Sequence, residues 1–572
     1  MQKNRLSLLL MLVVLAALMI PSHVIGIDKF ATIDEPWWVI SGSNFYYAIT
    51  HHDFASTIYD YHPAVTTTWI VTTGMLAYFP EYRGFGQGYF DVRKDTFDNF
   101  LKEHGKQTLD LLRDSRLIQT AVLVALALLA FFLLQLLIDR IIAFLAILLA
   151  VDAPFFLGHS RLLNHEGMLS MFILVSMLSM LVYLHRGRKW MYLVISGAAF
   201  GLAQLTKSPS IVVVPVVGLM LFVGLFERES GKKLLVKLLD AVKVLGIWLV
   251  AAVIVYVALW PGMWVAPGKM LYEVYGNAFS YAFQGARLDV TQELQPAKFS
   301  LNTGISGAGI YLLRWLTRST LITWLGVILA IFVLFSKKKE IVPSLVKWLI
   351  GYLAVMAFLF IVMFGVAQGR DSPHYILTSF VCLDVIAGIG WGFALIWSSN
   401  RWPVLKKSWA ALSVLAVLIA LQIGSTLPYY PYYYTYENPI MQAIVGNSPY
   451  GYGEGLDQAA AYLAQKRDAS ATKVYAYAGM GPFSYFFPGE TDVLKKVYLS
   501  EDGLLSIIEG MKHADYLVLY SAVQDSLPES AKLYQALKDV PPEKVISIYG
   551  QEYARIYRIV DIPESVYEAM AH

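Results

Sequence analysis

Apolar runs long enough to cross a hydrocarbon core of roughly 30 Å recur along this chain. They cover 6–26, 116–138, 141–158, 165–184, 190–206, 209–226, 243–264, 319–336, 345–367, 374–397 and 406–427. The pattern predicts about eleven transmembrane helices. The shortest, 141–158 and 190–206, meet polar residues at their outer ends. Three segments are too polar for a membrane interior: 27–115, 265–318 and 428–572. Within the first of these, Ala64 to Phe79 is apolar and rich in threonine. It reads as a re-entrant or interfacial helix rather than a twelfth span.

The last polar segment carries a different pattern. Short β-branched and aromatic runs at Val474–Tyr477, Tyr516–Tyr520, Val545–Tyr549 and Ile556–Val560 predict strands. Helical periodicity lies between them, at Gly455–Gln465 and Leu504–Met511. The chain therefore divides into a transmembrane module, 1–427, with outer loops 27–115 and 265–318, and a C-terminal α/β domain, 428–572. The Tyr- and Pro-rich stretch between Leu427 and Gly451 joins them. No Gly-rich phosphate loop opens a helix of that domain, so it is not read as nucleotide-binding.

Composition agrees with a membrane body. Hydrophobic residues make up 57% of the chain and charged residues 15%, too apolar a mixture to cover a soluble surface. The net charge of +3 is spread over short loops, which gives no basis for a nucleic-acid partner. The single cysteine, Cys382, lies in an apolar run, so no intramolecular disulfide can form. Aromatic residues, at 14%, suit rings that anchor helices among the headgroups of membrane lipids.

Cations fall in alternate connections and set an orientation. With the N-terminus cytoplasmic, the inner loops carry Arg140, then His185 to Lys189, then Arg228, Lys232 and Lys233, then Lys337 to Lys339, and finally Arg401, Lys406 and Lys407. An odd number of spans puts the C-terminal domain outside, as expected of a multi-pass plasma-membrane protein. Lys3 and Arg5 before Leu6–Ile20 also fit a secretory signal, but Ser22 to Gly26 lacks a small-x-small cleavage pattern. The segment is read as an uncleaved first helix.

Ionisable residues gather at the outward ends of spans, where charge is expensive and marks function by default. Asp34-Glu35-Pro36-Trp37-Trp38 follows the first span. One reading makes Asp34 a helix cap with Glu35 and Pro36 in the first turn. The other makes the pair a catalytic carboxylate site with one general base. Tyr61-His62-Pro63 precedes the threonine-rich helix. His159-Ser160-Arg161-Leu162-Leu163-Asn164-His165-Glu166 forms a polar knot between spans, either a plain turn with Arg161 paired to Glu166 or a functional cluster. Lys207 sits in the tight turn Thr206 to Ser210, and Arg370-Asp371-Ser372-Pro373-His374-Tyr375 precedes the tenth span. Arg161, Lys207 and Arg370 are outer-loop cations, against the inside bias. They either snorkel to headgroups or share an anion, for which a phosphate is the natural choice. No HExxH run and no cysteine cluster signals a metal, although histidines and carboxylates in these loops could hold a divalent cation.

These motifs, in this order, resemble the family 39 glycosyltransferases and their relatives, among them protein O-mannosyltransferases and lipid A aminoarabinose transferases. The resemblance rests on Asp34-Glu35 opening a long outer loop and on His62-Pro63 after it. It also rests on Arg370 to Leu377, similar to a late Arg-Tyr-Leu-Leu-Pro motif, with Thr378 where proline would stand. Tyr432 to Pro439 resembles the family's Tyr-Tyr…Asn-Pro entry to the C-terminal domain, and Gly453-Glu454-Gly455-Leu456-Asp457 is similar to a run seen in bacterial and archaeal members. One departure concerns the short loop after the third span, where many relatives carry an aspartate and this chain has Asn164 and Glu166.

The resemblance implies a membrane GT-C fold. It also implies a donor sugar on a polyprenyl phosphate and a protein, lipid or glycan acceptor. In that reading Asp34 is the general base and the anomeric carbon inverts, with Glu35 beside it in the catalytic pair. Arg370, Lys207 and Arg161 stabilise the leaving phosphate. His62, His165, Glu166, His374, Tyr375 and Trp37 contact substrate. Mannose, aminoarabinose and galactose are all open as the sugar. Two rival readings stand beside it: a transporter or flippase of lipid-linked sugar, and a non-catalytic relative that binds one. A transporter lines a path across the membrane with polar groups, whereas an enzyme gathers them at one face.

Overall fold

The computed structural model describes residues 2–60, 62–226, 233–276, 278, 303–338, 340–367, 372–477, 479–494, 501–521 and 528–571. Helices dominate as far as residue 426. The elements that frame the site are α1 (Gln2–Val24), α2 (Glu35–Thr50), α3 (Val65–Tyr78), α4 (Thr96–Glu103), α5 (Thr108–Leu137), α6 (Arg140–Val151), α7 (Pro154–Ser160), α8 (Glu166–His185), α9 (Trp190–Thr206), α10 (Val213–Phe226) and α11 (Leu234–Leu259).

Eight helices among the described residues are long and apolar enough to cross a membrane, and two bent pairs raise that to ten. The protein is a multi-pass membrane protein. The seventeen-residue α9 supplies the remaining apolar segment. One expected span is broken: the run 141–158 is α6 and α7, bent by 63°. Pro154 explains the break, because a residue before proline is driven out of the helical region. The span expected at 319–336 is the continuous helix Leu321–Phe335, which follows a helix ending at Arg318 across a bend of 116°. The span expected at 243–264 runs instead from Leu234 to Leu259. The threonine-rich stretch is α3, packed between α2 and α5.

The middle of the bundle is held by small residues and short polar bonds, the two devices open to helices in lipid. A Cβ on Gly388 would lie 2.3 Å from the Cα of Ala146, and one on Gly390 would lie 2.1 Å from the Gly326 carbonyl oxygen. The helix Leu377–Arg401 therefore sits directly against α6 and the helix Leu321–Phe335. Ser176 of α8 and Ser196 of α9 donate to each other's carbonyls at 2.9 and 2.7 Å, and the Trp248 indole of α11 donates to Ser196 Oγ at 3.0 Å.

The C-terminal domain is a five-stranded sheet with helices. Its strands are β1 (Lys473–Tyr477), β2 (Glu490–Leu494), β3 (Tyr516–Tyr520), β4 (Lys544–Ile548) and β5 (Gln551–Arg558), in the order β2-β1-β3-β5-β4. The first three are parallel, and β5 pairs antiparallel with both β3 and β4. Tyr549 and Gly550 join β4 to β5 with φ of 52° and 79°, the mirror-image turn a two-residue hairpin prefers. Strand β2 was not expected, because Glu490-Thr491-Asp492 masks its pattern. The expected strand at Ile556–Val560 lies mostly within the longer β5.

The join between the two parts is strapped down. Asn438 caps the helix Pro439–Val445 through its side chain and donates to the Ser319 carbonyl at 2.8 Å. The buried Arg318 donates to the carbonyls of Thr435 and Tyr436 at 3.0 and 3.1 Å. These bonds tie the connecting stretch to the turn at Arg318 and Ser319.

Candidate functional site

A polar cavity of about 270 Å³ opens where α2, α8 and α9 end. Asp34, Trp37, His62, His165, Glu166, Lys207, His374 and Tyr375 all line it. Eight of the eleven candidate residues thus meet in one place, although they are drawn from positions 34 to 375 of the sequence.

Local structure explains each approach. Asp34 occupies the N-cap position of α2, yet its side chain makes no cap bond. It accepts instead from the hydroxyl of Tyr452 at 2.6 Å. The cap reading of Asp34 is therefore right about position and wrong about the side chain. Trp37 stands one turn on, and its indole N–H, like Nδ1 of His165, is buried with no hydrogen-bond partner among the described residues. His62 is carried by the loop before α3, whose first turn docks on the end of α9: the Ala64 amide donates to the Thr206 carbonyl at 3.3 Å, and Thr66 bonds Thr206 at 2.8 Å. The same turn of α9 presents Lys207.

Glu166 begins α8, where a carboxylate meets the positive end of the helix dipole. Its carboxylate pairs with the Lys207 ammonium, and both side chains are almost wholly buried. Of the two readings of this polar knot, the plain turn with Arg161 paired to Glu166 gives way to this longer-range pair. Lys207 also lies 4.8 Å above the centre of the Tyr375 ring. The His165 ring stands edge-on to Trp38 at 4.8 Å and lies 5.4 Å from the His62 ring. Nδ1 of His374 lies 2.7 Å from the Tyr450 hydroxyl.

Two candidates are placed otherwise. Glu35 does not line the cavity. Its carboxylate accepts five donors: Arg116 Nε and Nη2 at 2.7 and 2.5 Å, the Thr32 amide and hydroxyl at 2.8 and 3.0 Å, and the Leu163 amide at 2.6 Å. It ties α2, α5 and the turn 161–165 together behind Asp34. Arg161 also faces away. It donates to the Ile25 carbonyl at 2.6 Å and lies 5.0 Å over the Tyr433 ring, and burial draws its guanidinium down to about 10. The expected trio of phosphate-binding cations is thus reduced to Lys207 among the described residues, since Arg370 lies outside them. Among those residues no group of three or more His, Cys, Asp or Glu side chains is arranged to hold a metal ion.

Comparison with known proteins follows the same line. Residues 111–260 match the family model "Dolichyl-phosphate-mannose-protein mannosyltransferase". That stretch carries Arg116, Arg161, His165, Glu166 and Lys207, but not Asp34, and it is well under half of the chain. The resemblance drawn from the motifs is met independently by this match.

Among solved structures, ArnT from Cupriavidus metallidurans bound to undecaprenyl phosphate is similar at a TM-score of 0.46 and 14% identity, over 95% of this chain and 97% of that one. The Archaeoglobus fulgidus oligosaccharyltransferase is similar at 0.47 and 11%, over 92% and 71%. The S. cerevisiae protein O-mannosyltransferase Pmt1-Pmt2 complex is similar at 0.34 and 16%, over 44% and 33%. No curated protein matches this chain by sequence.

Two residues of the cavity escaped the sequence reading. Asp60 lines it and accepts from the His62 amide at 3.3 Å. Its signal was present, two positions before a histidine already singled out. Tyr452 also lines it. It lies between Gly451 and Gly453, just before the Gly-Glu-Gly-Leu-Asp run, and nothing local marks a tyrosine as the partner of an aspartate 418 residues away.

Proposed function

We propose that this protein transfers a sugar from a polyprenyl-phosphate donor to an acceptor hydroxyl, on the outer face of the cell membrane, with the N-terminus cytoplasmic and the sheet domain extracytoplasmic. The observation that carries the reading is a single polar cavity bordered by Asp34 and by the Lys207–Glu166 pair, at the ends of helices fit for a membrane. Polar groups gathered in one cavity argue against a transport path, where they would be strung across the bundle.

In the proposed reaction Asp34 takes the proton of the acceptor hydroxyl as its oxygen attacks the anomeric carbon. The bond from that carbon to the phosphate oxygen breaks, and the configuration inverts. The leaving polyprenyl phosphate needs no proton, only stabilisation of its charge. Lys207 supplies that stabilisation, with Arg370 as its nominated companion. Arg161 is dropped from this role because it is engaged with Ile25 and Tyr433. Glu166 holds the lysine in place, and the unpartnered indole N–H of Trp37 and Nδ1 of His165 suit sugar hydroxyls. Glu35 keeps the Asp34 backbone where it is and touches no substrate.

The test is incubation of purified protein with radiolabelled polyprenyl-phosphate sugars, mannose, aminoarabinose and galactose among them, beside Asp34→Asn. Release of free polyprenyl phosphate, lost in the variant, supports transfer and names the donor. Equal release by both proteins removes Asp34 as the base. Tight donor binding without any turnover favours the non-catalytic relative.

A further inference from the structure

Tyr452 belongs to the C-terminal part of the chain, yet its hydroxyl donates to Asp34 Oδ2 at 2.6 Å. Its carbonyl accepts from the Ile33 amide at 3.2 Å, so backbone and side chain both bracket the start of α2. The side chain is buried. Burial first, and then the Asp34 charge, hold its ionisation well above the usual tyrosine range. It therefore stays protonated and donates.

The loop that carries it is held from the sheet. Glu454 accepts from the amides of Gly451 and Tyr452 at 3.0 and 2.6 Å, and from the Tyr520 hydroxyl at 2.7 Å. Tyr520 closes β3, the middle strand, and its oxygen accepts in turn from the Gly453 amide at 3.0 Å. Gly453, at φ of 109°, stands in a region closed to other residues, and a Cβ there would meet Pro482 at 2.9 Å. Gly481 presses on Pro36, where a Cβ would lie 2.3 Å from its Cγ. The contact between domain and α2 is made by backbone at Gly481, and Gly453 packs on Pro482 within the domain, so the loop has little freedom to withdraw.

We propose that Tyr452 is a positioning residue for the base, through which the sheet domain completes the reaction centre. The chain Tyr520–Glu454–Tyr452 fixes the Asp34 carboxylate through the bond from the phenol to Oδ2. The inference rests on the proposed transfer reaction. It assigns the C-terminal domain a part in catalysis rather than the role of a lid. A donor to a carboxylate favours the ionised form, so loss of the hydroxyl makes Asp34 harder to ionise. Asp60 and His62 before α3, His165 and Glu166 at α8, Lys207 at α9 and His374 also face this cavity. They are common to wild type and variant, so a difference between the two profiles reports the phenol.

The experiment compares wild type, Tyr452→Phe and Tyr520→Phe in detergent, with the donor found active. For Tyr452→Phe we expect kcat to fall about tenfold to a hundredfold, as for loss of one hydrogen bond to a charged group, with the donor KM held within about twofold. The acidic limb of the kcat/KM profile should move to higher pH. Tyr520→Phe should move the limb the same way by less. Wild-type kcat and limb in Tyr452→Phe overturn the proposal and leave the transfer reading intact. No turnover by the wild type with any donor removes both. Should Tyr452→Phe not yield folded protein, the limb in Tyr520→Phe decides: displaced, it supports the proposal, and unmoved, it overturns it.

Discussion

Two carboxylate–cation pairs lie buried close to the turn 161–166, and they differ in what else reaches them. Glu35 has Arg116 and three further donors, which leave no room for a ligand. Glu166 has Lys207, with His165 Nε2 3.6 Å away, and both members of that pair line a cavity. Burial of charge costs free energy in either place, and full satisfaction by fixed donors is what makes the first pair a strut. The second pair keeps one face toward the cavity, which is what makes it available for chemistry. Asp34 and Glu35 are neighbours in sequence and fall on opposite sides of this divide.

The comparison breaks most sharply at Asp34. Asp34→Asn is isosteric and should lower turnover by about 10²–10⁴-fold while the unfolding midpoint in detergent stays put. Its neighbour should behave in the opposite way. Arg116→Met strands Glu35 as a buried charge and should cost about 3–5 kcal/mol of stability, read as a large drop in the midpoint. An unchanged midpoint would show that Thr32 and Leu163 suffice. Lys207→Gln should cut kcat by about a hundredfold, as loss of one preorganised charge-stabilising donor does. Wild-type turnover there would take Lys207 away from the phosphate. The smallest effect is expected at Arg161, where Arg161→Lys should keep turnover within about twofold and cost about 1 kcal/mol through its stack on Tyr433. A large loss of turnover in that variant would return Arg161 to the phosphate-binding set.

Much of this arrangement was legible beforehand. Apolar length marked the helical segments because a lipid interior tolerates little else. Charge at span ends marked the cavity because such charge has few structural uses. Strand β2 was hidden because Glu490-Thr491-Asp492 lies where one face is half-exposed and carries no apolar alternation. The bends after Val151 and Arg318 were hidden for a related reason: hydropathy sums over a window and is blind to direction.

What the sequence determined by itself is therefore the class of the molecule and the short set of residues from which a site could be assembled. Only the tertiary structure sorted that set. It turned Glu35 toward Arg116 and Asp34 toward Tyr452, sent Arg161 to Tyr433, and paired Glu166 with Lys207. The reason is physical. Hydropathy and helix signals act within one or two turns of chain, whereas the partner of a buried charge is whichever opposite or donating group the packing of distant helices brings within about 3 Å.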